Sequence, residues 1–158
     1  MKVEEITAGL ENGWDVGFLP DGKLLVTERL GKLSLVAGSA PGSAAKTVAA
    51  DFSDVLVAGE GGLMGLVVHP DFVQSRDFTT CQTHKVDDKA VDIRPVTPSL
   101  SADDSSATRV ADLLTGLPVN PSGRHSGCRP TIAADGAPDR HRRHRSAHDR
   151  PGSAQLRR

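Results

Sequence analysis

Gly13-Trp14-Asp15-Val16-Gly17-Phe18-Leu19-Pro20-Asp21-Gly22-Lys23-Leu24-Leu25-Val26-Thr27-Glu28-Arg29 is the stretch whose reading decides the fold. Trp14 to Leu19 and Lys23 to Glu28 suit half-buried strands, and Pro20-Asp21-Gly22 joins them. Proline presets φ for the turn, and glycine supplies the positive φ that other residues resist. A second turn at Leu30-Gly31 leads into Lys32 to Val36, so the segment reads as a three-stranded meander.

Outward from the meander, residues 38–48 are rich in Gly, Ser, Ala and Pro and read as a loop. Asp51 to Val57 leads into the cluster Gly59-Glu60-Gly61-Gly62, and Leu63 to His69 reads as a strand ending in Pro70-Asp71-Phe72. The pattern recurs. Gly17 to Gly22, Val67 to Phe72 and Thr131 to Gly136 each place apolar residues before an aspartate-centred turn, with the aspartates 50 and 64 residues apart. That spacing is close to the ~40–50-residue period of propeller blades, with room for insertions. Phe78 to His84 and Ala90 to Val96 suit strands, although Pro95 and Pro98 remove ladder donors and point to an edge or a broken strand for the second. Ser101 to Ser106 is a polar turn before a strand over Thr108 to Leu114.

A chain of 158 residues with a net charge of −1 has room for one soluble globular domain. Aromatic residues are scarce, with Trp14, four phenylalanines and no tyrosine, so the core must be aliphatic. Cys81 and Cys128 can pair in an exported protein or sit as two buried thiols in a cytosolic one, and thiols are the expectation. Nothing resembles a C-x-x-C metal or redox site. The N-terminus, Met1-Lys2-Val3-Glu4-Glu5-Ile6, has no apolar run, and no window approaches the ~20 residues that span a bilayer. As written, the product is expected to stay in the cytoplasm, with no membrane segment and no nucleic-acid partner.

Chemistry points to Gly116-Leu117-Pro118-Val119-Asn120-Pro121-Ser122-Gly123-Arg124-His125-Ser126-Gly127-Cys128-Arg129. Glycines on both sides of His125 let the backbone approach a ligand closely, and an imidazole accepts a proton near neutral pH. An isolated G-x-H-x-G is also a common surface turn, so the motif alone does not establish a site.

Three motifs, Gly13 to Arg29, Gly59 to Phe72 and Gly116 to Arg129, resemble the soluble pyrroloquinoline-quinone (PQQ)-dependent sugar dehydrogenases, also called glucose/sorbosone dehydrogenases, and most closely a lipoprotein branch. The resemblance implies an all-β chain that is the N-terminal fragment of a six-bladed β-propeller, with PQQ and calcium in the central channel and an aldose oxidised to its lactone. It implies His125 as the catalytic proton acceptor and Glu60 and Arg124 as substrate- or cofactor-binding groups. It assigns no metal ligand to this chain. Relatives carry glutamine at the position of Glu60, and some carry aspartate at that of Arg124. At most about three blades fit in this length, so most of the cofactor ligands have no counterpart and the chain is expected to be inactive. The alternative is a non-catalytic propeller lipoprotein that binds a partner or a glycan. The family is typically exported or lipid-anchored.

These readings divide the chain into a partial propeller, 1–136, and a basic tail, 137–158. The tail holds seven arginines against Asp139 and Asp149, a net of +5, whereas the rest carries −6. His141, His144 and His148 are spaced to share a helical face and bind zinc, or the arginines to grip phosphates; a solvated disordered tail is the plainer reading. A frameshift near residue 137 explains more. Asp139 to Arg145 can be encoded by GAY CGN CAY CGN CGN CAY CGN, which one base later permits Ile-Gly-Thr-Gly-Asp-Thr-Ala. The family's next strand ends in Gly-Thr-Gly-Asp.

Overall fold

The computed structural model of the chain describes residues 1–120, 122–133 and 138–139. It is all-β apart from one helical turn. Strands β1 (Gly13–Phe18), β2 (Leu24–Glu28) and β3 (Lys32–Val36) form the expected meander, and β4 (Ala45–Ala50) extends it. A second set follows: β5 (Leu63–Val68), the turn α1 (Phe72–Ser75), β6 (Phe78–Val86), β7 (Lys89–Leu100) and β8 (Ser106–Asp112). The first strands of the two sets begin 50 residues apart, at Gly13 and Leu63, which is the repeat read from the aspartates. Both aspartate turns close in the same way: Gly22 N–H donates to Leu19 O at 3.0 Å, and Phe72 N–H to His69 O at 3.1 Å.

The sheet order is β1-β2-β3-β4-β8-β7-β6-β5, with β4 and β8 joined by a short parallel pairing of Ala49 with Ser106 and Ala50 with Ala107. The sheet folds back on itself, so two four-stranded blades face one another across a shared core. Leu19, Leu25, Leu33, Leu35 and Val48 from the first blade meet Leu66, Phe72, Phe78, Leu100 and Ala107 from the second. At the inner edge β1 comes close to β5, and Gly17 permits it: a Cβ there would lie 2.7 Å from Val68 Cγ2. Asp15 Oδ2 accepts the Leu66 N–H across this seam at 3.0 Å. The outer face of β1 is apolar and open, with Trp14, Val16 and Phe18 exposed by 40, 43 and 74%.

Three expectations need correction, and one short element, a helical turn, adds to the reading. Residues 45–48, read as loop, belong to β4, where Leu33, Ser34, Leu35 and Val36 offer a ladder that outweighs the weak strand preference of alanine and lysine. A helical turn follows Pro70-Asp71, with Arg76 in the left-handed conformation closing it. Strand β7 is neither edge nor broken; it runs between β6 and β8. Ile93 N–H donates to Leu117 O at 3.0 Å, so that side of β7 at Pro95 faces past the last paired residue of β8, where no ladder donor is needed, and the Pro95 carbonyl accepts Leu113 N–H. Pro98 sits at the register shift between Thr97 and Pro98. Lastly, Cys81 and Cys128 are not thiols but a disulfide, with Cα atoms 5.8 Å apart.

After β8 the chain returns across the other face of the second blade. Leu117, Val119 and Cys128 pack there on Met64, Cys81 and Ile93. A two-residue pairing of β9 (Thr131–Ile132) with β10 (Pro138–Asp139) ends the described chain. The third aspartate turn, at 134–136, and the Arg/His-rich run with His141, His144 and His148 lie outside the described residues. Among the described residues no helix is long and apolar enough to cross a membrane.

Candidate functional site

Two loops build the site, the glycine cluster before β5 and the histidine segment after β8. They touch backbone to backbone. A Cβ on Gly59 would lie 2.5 Å from Gly123 O, and on Gly65, 2.4 Å from Cys128 O, so glycine is required at both positions. Glu60 N–H donates to Gly123 O at 2.8 Å, and the Glu60 carboxylate in return accepts His125 N–H at 2.8 Å. His125 is exposed and held at φ 56°, a left-handed conformation unusual for a residue with a side chain. Glu60 and His125 are thus brought together, and Arg124 stands exposed beside them.

Each loop is braced from outside. Arg29, the last residue of the opening motif, donates from Nε to Gly61 O at 3.0 Å and from Nη2 to Gly59 O. Its carbonyl accepts Leu63 N–H at 3.0 Å, which sets the start of β5. On the histidine side, Asn120 Oδ1 accepts both the N–H and the hydroxyl of Ser122, and Asn120 O accepts Gly123 N–H, so the turn before His125 is preformed. Ser126 is buried and donates to Gly123 O at 3.2 Å. Beyond it come the Cys81–Cys128 bond, Gly65 N–H to Cys128 O at 3.1 Å, and Arg129 on Asp15 at 3.0 Å. A cleft of about 120 Å³ beside the paired loops is bordered by Ala58, Gly59, Thr83, Asn120, Gly123 and Ser126.

A chain of charges anchors the same loops from behind. Asp92 accepts Gly116 N–H at 2.7 Å, where the histidine segment begins, and pairs with Arg94; Arg94 and Arg109 share Asp112, and Arg109 also pairs with Asp54, which His84 Nδ1 meets at 3.0 Å. Asp54 lies in the loop leading to Glu60. Burial pushes its carboxyl up, but the Arg109 guanidinium holds it below the ordinary carboxylate range. Asp92 holds the Arg94 guanidinium above its ordinary value.

Sequence reasoning named Glu60, Arg124 and His125 but missed Arg29, Asp92 and the disulfide. Arg29 ends the opening motif and follows a strand, a signal that it turns toward a loop. Asp92 and Arg94 alternate on one strand face, which marks them as neighbours but not as anchors. Among the described residues no group of three or more His, Cys, Asp or Glu side chains is placed to hold a metal ion.

The fold is shared with known proteins. The family described as Glucose / Sorbosone dehydrogenase matches residues 10–138. The aldose sugar dehydrogenase YliI of Escherichia coli (strain K12) is 32% identical over 133 residues, covering 82% of this chain and 34% of its own length. An oxidoreductase (glucose dehydrogenase) from Thermus thermophilus superposes with a TM-score of 0.71 at 33% identity, over 85% of this chain and 38% of that one. The PQQ-bound form of the aldose sugar dehydrogenase of Streptomyces coelicolor superposes with a TM-score of 0.72 at 23% identity, over 84% and 38%, which shows a shared fold. The chain spans about a third of the length of the Escherichia coli relative.

Proposed function

The chain belongs to the glucose/sorbosone dehydrogenase family, and from that premise we propose that it is the histidine-bearing part of a propeller that oxidises an aldose at its anomeric hydroxyl to the lactone. The observation that carries this reading is His125, exposed on a turn whose backbone is fixed by the Glu60 carboxylate and by the close contact of Gly59 with Gly123. Oxidising the hydroxyl removes a proton and a hydride. The imidazole of His125 takes the proton, and Glu60 and Arg124 beside it are the proposed substrate- or cofactor-binding groups.

PQQ and calcium are the family's cofactors, and the residues described here do not fit them unaided. No three potential ligands converge on an ion among the described residues. Nor do the site's arginines, among the described residues, stand ready for the carboxylates of a quinone: Arg29 is committed to two carbonyls and Arg129 to Asp15, which leaves Arg124. Calcium and the quinone, which would supply the hydride acceptor, therefore belong to a ring completed beyond this chain, and the chain alone is inactive. The disulfide supports an exported protein, since such bonds persist in oxidising compartments. We assign 1–136 to the propeller and 137–158 to an out-of-frame tail; the family match stops at residue 138, just before the arginine run.

The test has two arms. The purified chain with PQQ, calcium, aldoses and a dye acceptor gives no turnover above a protein-free blank; turnover lost in His125→Ala overturns the claim of inactivity. The complete ring, expressed from DNA with the frame restored near codon 137, oxidises aldoses and loses that activity in His125→Ala. A PQQ-loaded ring that oxidises no aldose overturns the functional reading.

A further inference from the structure

We propose that Glu60 is a positioning residue that acts through His125: its carboxylate holds the backbone of the histidine turn, and Arg29 holds Glu60 in place to do so. The proposal deepens the reading of His125 as the proton acceptor and rests on it. Three observations carry it. His125 has φ 56°, and a residue with a side chain keeps such a conformation only where its surroundings impose it. The group that imposes it is Glu60, whose Oε2 accepts the His125 N–H at 2.8 Å across 65 residues of sequence. The same glutamate's own N–H donates to Gly123 O at 2.8 Å, so one residue grips the turn at both ends of Gly123-Arg124-His125.

Glu60 has to be held in turn, because it is exposed and flanked by glycines that impose no conformation of their own. Arg29 supplies the constraint from the far side of the loop. Its guanidinium ties down the carbonyls on either side of Glu60, those of Gly59 and Gly61, and its carbonyl fixes Leu63. A Cβ on Gly62 would lie 2.4 Å from Arg29 O, so this contact is tight enough to set the loop's height. The relay therefore runs from the end of β2 through the glycine loop to the histidine. It gives Arg29, which the first motif carries without an assigned role, a part in aiming the imidazole. A glutamine at position 60 offers a carbonyl oxygen to the same N–H, so the relay needs an acceptor there and not a charge.

The test reads the His125 backbone in the full 158-residue chain, without cofactor. Amide exchange is followed by NMR, and trypsin cleavage at Arg124–His125 by mass spectrometry, in wild type, Glu60→Ala, Glu60→Gln, Arg29→Ala and Arg29→Lys. Glu60→Ala is expected to speed His125 amide exchange about tenfold and to speed cleavage similarly, in line with loss of a hydrogen bond to a charged acceptor. Glu60→Gln is expected to restore most of the protection. Arg29→Ala is expected to behave like Glu60→Ala at His125, and Arg29→Lys to fall between, because a lysine cannot span two carbonyls as a planar guanidinium does. Amides of β2, β3, β6 and β7 serve as the fold control and are expected to be unchanged in the Glu60 variants. Wild-type exchange at His125 in Glu60→Ala, or loss of protection throughout the sheet, overturns the proposal. Failure of the complete ring to oxidise aldoses, with the His125 backbone still controlled by residue 60, removes the dehydrogenase reading and leaves the relay standing.

Discussion

Reducing the Cys81–Cys128 bond is the perturbation with the largest expected effect on the site. The two cysteines are 47 residues apart in sequence, and the bond closes a loop that contains β7, β8 and the whole histidine turn. The entropy removed from an unfolded chain by closing such a loop corresponds to about 4 kcal/mol at 25 °C. The reaction takes two electrons and two protons from a dithiol and leaves two buried thiols in the cluster of Met64, Ile93, Leu117 and Val119. Urea unfolding of oxidised protein, of protein in excess dithiothreitol and of the double variant Cys81→Ser/Cys128→Ser measures the effect. At the usual dependence on urea the midpoint falls by roughly 2 M, with the two forms lacking the bond close together. Trypsin adds a local readout, since the Arg124–His125 bond lies four residues before Cys128 and becomes the first site cut when the segment lifts, whereas Pro130 blocks cleavage after Arg129. A midpoint that moves by less than about 0.3 M, with unchanged cleavage after Arg124, refutes the view that the bond is what holds the histidine segment on β6.

Gly65→Ala places a methyl group 2.4 Å from Cys128 O, which is backbone and cannot step aside, so it costs about 1–3 kcal/mol and slows oxidation of the cysteine pair in refolding, read by thiol titration. Asp104→Asn tests the link between blades: Asp104 receives Lys23 from the first blade at 2.6 Å and Arg76 from the second, and its loss costs at most about 1 kcal/mol once solvent screening of the partners is allowed for. Burial pushes the Asp104 carboxyl up, but Lys23 and Arg76 hold it below its ordinary value. Its contribution is therefore complete above about pH 4, is lost as pH falls further, and is missing from the acid limb of the stability curve in Asp104→Asn. Asp103 titrates at about 2, held down first by the Ser101 hydroxyl and then by Ser105, so Asp103→Asn removes a contribution that fades between the unfolded value near 3.8 and about 2, checked by acid denaturation.

The meander was legible because its signals are local. Leu33 and Leu35 flank Ser34, Leu25 lies on the strand before, and the turns on either side of that strand carry Gly22 and Gly31; the structure follows this pattern nearly residue for residue. The aspartate repeat was legible for the same reason, since Pro20-Asp21 and Pro70-Asp71 make the same turn. What sequence could not show depends on partners distant in the chain. Ala45 to Val48 become a strand because β3 offers an open edge, and Pro95 is tolerated because β8 ends before reaching it. Cys81 and Cys128 read as thiols because nothing local brings them together; they pair because the chain after β8 returns over β6. In the site, the identities of Glu60, Arg124 and His125 were legible as residue types between glycines. Their relation was not, since a hydrogen bond from a backbone N–H to a carboxylate 65 residues away leaves no trace in spacing.

The geometry around His125 and the chemistry expected of it have different reach in the chain. Every group named as fixing the histidine turn lies within the described residues: Glu60 and Gly59 before β5, Asn120 and Ser126 around the turn, Cys81 on β6, Asp92 on β7 and Arg29 at the end of β2. These come from two blades and the segment that follows, so the turn forms wherever those elements form. A channel is different, because it exists only between blades on opposite sides of a ring. The outer face of β1, with Trp14, Val16 and Phe18 exposed, is an open apolar surface. On the function proposed above, an opposite wall is what would hold the sugar and exclude water from the transfer. Completing the ring should therefore change substrate binding far more than it changes the backbone of His125.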